Sequence, residues 1–75
     1  MQNKDIRQMG DAEIRSAIED AKTELFNLRF QRAAGSLENT SRLRALRKDI
    51  ARLYTILRER EIAAALVRQE GEDHA

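Results

Sequence analysis

Residues 28–39 read LRFQRAAGSLEN, and this stretch decides how the chain folds. Two alanines and Gly35 sit at its centre, where a helix would stop. Gly35 suits the left-handed conformation that closes a helix. Asn39 suits the N-cap of a new one, with Thr40 and Ser41 as close competitors. A bend at this point would turn one long helix back onto another.

The apolar residues on either side fit that bend. Ile14, Ile18, Ala21, Leu25 and Leu28 recur at steps of 4, 3, 4 and 3. Leu43, Leu46, Ile50, Leu53 and Leu57 recur at steps of 3, 4, 3 and 4. Both are heptad-like stripes on otherwise polar helices, and neither can bury itself alone. They match in antiparallel register. Leu28 with Leu43, Leu25 with Leu46, Ala21 with Ile50, Ile18 with Leu53 and Ile14 with Leu57 all sum to 71, which centres the symmetry between Gly35 and Ser36. The spacing predicts an all-α fold, an antiparallel two-helix hairpin with long helices over about 11–34 and 40–67. The whole of 1–75 is expected to form one domain.

The ends are read the same way. NKDIRQM at 3–9 fits a short helical turn, with Ile6 and Met9 packing on the open end of the hairpin. Gly10 or Asp11 caps the first long helix, and Glu13 stands three residues after Gly10, as a capping box wants. The tail is expected to fray beyond Gly71, leaving 71–75 disordered. Leu37 is expected to cover the end of the core.

Several kinds of chemistry lack their residues. The chain has no cysteine and one histidine, His74, so no disulfide, thiolate metal site or cofactor is expected. No acid, base and nucleophile set converges, and a two-helix hairpin has no interior to hold one. An enzyme, and a small-molecule substrate, are therefore not expected. No segment approaches the roughly 18 apolar residues of a membrane span, and MQNKDIRQMG lacks the apolar run of a signal peptide. With 75 residues and no covalent staple, the free chain is expected to be marginally stable.

Charge is unevenly placed. The net charge is only +1. Residues 1–28 carry four cations against six anions, and 61–75 carry one against four. Residues 29–60 carry nine cations against three anions, and eight of the nine are Arg. The guanidinium fork suits phosphate. Arg44, Lys48 and Arg52 are spaced by four, off the apolar seam, with Arg47 and Arg58 nearby. An ordinary solvated face mixes both signs; this one points to a polyanion. Among the aromatics, Phe26 is expected to pack against the N-terminal turn or the bend. Phe30, among Arg29, Gln31 and Arg32, is open to either core or partner. Tyr54 is expected to pack its ring beside the seam.

The residues then become familiar. ELFNLRFQRAAGSLEN at 24–39, followed by RLRALRKDIARLYTILRER at 42–60, resembles the bacterial large-subunit ribosomal protein family called L-twenty-nine, over about residues 5–62. The resemblance implies a helical hairpin that binds large-subunit ribosomal RNA in the cytoplasm, as a structural constituent of the large ribosomal subunit. It implies a place near the exit of the peptide tunnel, beside ribosomal protein L-twenty-three, with nascent-chain factors as candidate partners. Carried over by match, and chosen by charge and position, the expected RNA-facing residues are Arg29, Gln31, Arg32, Asn39, Arg42, Arg44, Arg47, Lys48 and Arg52. Two positions depart from the family pattern: Ser36 stands where glutamine is common, and Gly10 where Ser, Thr or Asp is common. Residues 63–75 extend past the family's core length. The rival class is a protein-interaction module, in which the same seams build a four-helix dimer or cap a coiled coil.

Overall fold

The computed structural model describes residues 1–73, and their side chains through Gln69. Three helices follow one another: α1 (Asn3–Arg7), α2 (Asp11–Ala33) and α3 (Ser41–Asp73). No proline interrupts them, and Ala, Leu, Arg and Glu, all strong helix formers, dominate α2 and α3. α2 and α3 pack antiparallel, and α1 lies against α3. The result is a rod of 61 × 21 × 16 Å.

The bend forms where LRFQRAAGSLEN places it. Ala34 is the C-cap of α2. Gly35 follows at φ 76°, the left-handed conformation that a side chain would resist. Its N–H donates to the Arg32 carbonyl (3.1 Å), and the Ser36 N–H donates to the Gln31 carbonyl (2.9 Å). This pair of bonds is a Schellman motif, which satisfies carbonyls that the helix end leaves open. The Ser36 hydroxyl adds a second bond to the Gln31 carbonyl at 3.1 Å. α3 starts at Ser41, so Thr40, one of the competitors, takes the N-cap position and its carbonyl accepts the Arg44 N–H at 3.4 Å. Asn39, one residue earlier, accepts the Ser41 N–H on its Oδ1 at 2.9 Å in an Asx turn that leads into the helix.

The expected seam is the core, in two clusters. At the open end Ile14, Ile18, Leu53, Ile56 and Leu57 pack with Ile6 of α1, and Met9 and Ala17 lie against them. At the bend end Leu25, Leu43 and Leu46 pack with Ala21, Leu28, Leu37 and Ile50. Ile6, Ile14 and Leu53 are fully enclosed. Leu37 covers the core end, as expected.

The structure departs from expectation at the end of α3 and at Phe26, keeps Gly10 as the cap of α2 without the side-chain bond of a capping box, and adds Ile56 to the core. α3 continues past 67 to Asp73, because a single Gly71 costs a helix only about 1 kcal/mol and no proline stops it. The tail expected to be disordered over 71–75 begins inside this helix, and 74–75 lie outside the described residues. No side-chain cap forms at the start of α2, because Gly10 has no side chain to supply one. Ile56, off the seam, is buried, because α1 brings Ile6 to it. Phe26 does not pack inside; it is 68% exposed.

The overhang of α3 follows from these lengths. Asp11 at the start of α2 lies beside Arg60. The 13 residues after Arg60 thus run on alone, about 20 Å of helix.

Candidate nucleic-acid interface

All nine expected site residues are exposed, but the structure divides them. Arg29, Gln31 and Arg32 lie on the last turns of α2, and Asn39 lies in the bend. Arg42, Arg44, Arg47, Lys48 and Arg52 lie along α3. Arg42, Arg44, Lys48 and Arg52 line one shallow open groove with Met1 and Asp49. Arg47 is set apart from this groove, three residues past Arg44.

The cations of 29–60 fall into two groups. Three have a carboxylate partner. Arg42 clamps Glu24 through two bonds, Nε to Oε1 at 2.7 Å and Nη2 to Oε2 at 2.9 Å, tying α3 to α2. Arg60 Nη1 donates to Asp11 Oδ1 at 2.8 Å, and its Nη2 donates to the Arg7 carbonyl at 3.2 Å. Arg52 lies 3.8 Å from Asp49 and donates to the Met1 carbonyl. The Met1 amino group also pairs with Asp49, at 3.2 Å. The Arg42 and Arg60 pairs join α3 to α2, the Arg52 and Asp49 contacts hold Met1 against α3, and Asn39 spends its Oδ1 on the Ser41 N–H.

The other six, Arg29, Arg32, Arg44, Arg47, Lys48 and Arg58, have no carboxylate within 4.0 Å among the described residues. They are exposed, and intramolecular pairing leaves their charge free. Arg44 and Lys48 stand one turn apart, which is mildly repulsive in the free helix. That arrangement favours an anionic partner.

The remaining aromatic contact is on the flank of the hairpin. Lys22 Nζ lies 5.2 Å from the Tyr54 ring centroid, a cation–π contact between α2 and α3. Tyr54 is half-exposed beside the seam, as expected.

The Glu24–Arg42 clamp has a pH signature. The Arg42 hydrogen bond holds the Glu24 carboxyl below its ordinary value of 4.5 and raises Arg42 above its own. A carboxyl lowered in the folded state adds stability above its unfolded value, and that stability is lost as pH falls through the folded value. Glu24→Gln should therefore lower stability at pH 7 and flatten its fall below about pH 4.5. Urea denaturation at pH 7, 5 and 3 checks this; parallel curves for both proteins would show the clamp to be energetically idle.

Nothing catalytic is assembled. Among the described residues no polar or charged side chain is buried, and no group of three candidate ligands could hold a metal. No described helix is long and apolar enough to cross a membrane.

The fold is thus a thin helical hairpin with a closed apolar seam and six exposed cations that have no carboxylate partner among the described residues. A family model described as Ribosomal L29 protein matches residues 4–60. The chain is 62% identical over 64 residues to the large ribosomal subunit protein uL29 of a Geobacillus species, covering 85% of this chain and 94% of that one. It is 56% identical over 63 residues to the protein of that name from Streptomyces avermitilis, covering 84% and 85%. Against that of Saccharopolyspora erythraea it is 48% identical over 71 residues, covering 95% and 89%. The chain belongs to the ribosomal L29 protein family, a family of structural proteins rather than enzymes.

Proposed function

We propose that this protein is a structural constituent of the large ribosomal subunit and works in the cytoplasm by binding large-subunit ribosomal RNA. The observation that carries the reading is the set of six unpaired cations in 29–60. In this reading Arg44, Arg47 and Lys48 of α3, with Arg29 and Arg32 at the bend, take phosphates. Gln31 and Asn39 add amide donors at the bend. Arg42 and Arg52 border the groove while they also anchor the hairpin. The protein sits near the exit of the peptide tunnel, beside ribosomal protein L-twenty-three and within reach of nascent-chain factors; the family resemblance supports that placement.

Phosphate binding releases counterions, so affinity for deproteinised large-subunit ribosomal RNA should fall steeply with salt. The expected slope of log affinity on log salt is about −4 or steeper for five or more phosphate contacts. A slope near zero would overturn the reading in favour of a protein-interaction module.

A further inference from the structure

Within the packed part of the hairpin, two large apolar side chains are left without a task. Phe26 and Phe30 are 68% and 69% exposed. Every other large apolar residue from 2 to 60, Tyr54 apart, is at least partly buried. The two phenylalanines stand one turn apart on α2, so they share a face and lie about 6 Å apart along the axis. Exposed aromatic rings of this kind offer faces on which any base can stack, since every base has a π-face.

Cations border this ledge. Lys22 and Arg29 sit at helical spacing on either side of Phe26. The Lys22–Tyr54 contact fixes which flank of α3 faces them. Seven residues further along α2, and seven back along α3, the same flank carries Arg29 and Arg47. Neither has a carboxylate partner among the described residues. The acids on this strip, Glu19 of α2 and Glu61 of α3, lie two turns or more from Phe26, toward the open end of the hairpin. An occupant must therefore be flat and apolar at the rings and anionic at their margin. A nucleobase with its phosphate meets both demands; an acidic peptide meets only the second.

We propose that Phe26 and Phe30 form a stacking site for one unpaired base of the bound RNA, with Arg29 and Arg47 on the adjoining phosphates. This rests on the RNA reading above and adds a base contact to an interface otherwise made of phosphate contacts.

The test uses the full chain carrying Phe26→Leu and Phe30→Leu, titrated against deproteinised large-subunit ribosomal RNA at several salt concentrations. Leucine keeps an exposed apolar helix former and removes the aromatic face. Affinity should fall roughly tenfold or more at every salt, with an unchanged salt slope because no charge is removed. Ultraviolet irradiation of the unsubstituted complex should place base adducts on the peptide holding Phe26 and Phe30. Unchanged affinity without adducts overturns the stacking site and leaves the phosphate reading standing. Unchanged RNA affinity with poor incorporation of the variant into large subunits puts a protein neighbour on the rings and also overturns it. Loss of salt-dependent binding by the unsubstituted protein removes both readings, and the variant plays no part in that result.

Discussion

Leu53→Ala should unfold most of the free protein. Leu53 is fully enclosed, and its cluster draws Ile6 from α1, Ile14 and Ile18 from α2, and Ile56 and Leu57 from α3. It therefore sits in a cluster to which all three helices contribute. Trimming a leucine at such a site costs about 3–4 kcal/mol, because transfer energy is lost and the cavity closes only in part. A domain of this size, with nine buried core residues, holds only a few kcal/mol in total. The loss is then comparable to the whole stability. Far-UV circular dichroism without urea should show most of the helical signal gone. Large-subunit ribosomal RNA at about 100 times its dissociation constant should restore part of it, since ligand binding to the folded state returns about 2.7 kcal/mol. A cooperative urea transition shifted by less than about 1 kcal/mol would mean that the three helices do not converge on Leu53.

The reason Leu53 can be singled out marks where the sequence stops being legible. Its place on the seam follows from the 3–4 spacing and the shared sum of 71, both properties of the chain alone. The bend follows as well, because Gly35 is needed for a positive φ and the Asn39–Thr40 pair for the turn and cap that start α3. Ile56 does not follow. It is buried only because a five-residue helix folds over it, and a helix that short takes its position from tertiary packing. Phe26 misleads for a related reason. One residue past Leu25, it could face either the seam's edge or water, and the rotation of α2 decides. The end of α3 is not legible either: the apolar stripe gives out near 67, but the helix continues to Asp73 because the residues beyond, Gly71 apart, still favour it.

The cations show the same limit. Their concentration in 29–60 is plain from the sequence, and so is their separation from the seam. Which of them are already spent is not. Glu24 and Arg42 are 18 residues apart, and Arg60 and Asp11 are 49 apart. Only the packed hairpin brings these charges together. Ranking by charge alone puts Arg42 level with Arg44. The structure separates them, one as a cross-link with a carboxylate, the other as free charge.

That separation produces the second large effect. Replacing Arg44, Arg47 and Lys48 together with alanine should make the salt slope of RNA binding shallower by about three, one for each lost phosphate contact. At about 0.15 M salt the same loss amounts to roughly a hundredfold in affinity. Stability should move the other way. All three side chains are exposed, alanine is the stronger helix former, and the Arg44–Lys48 repulsion disappears. The free variant should therefore be at least as resistant to urea as the parent protein. Arg42→Ala should reverse this pattern: it breaks the clamp to Glu24, so it lowers stability and leaves most of the slope in place. The two variants together separate charge that holds the hairpin closed from charge that is free to meet phosphate. An unchanged slope in the triple variant would move the RNA off this face of α3, and the bend would have to supply the contacts. A slope lost equally in Arg42→Ala would mean that the Glu24 clamp opens when RNA binds.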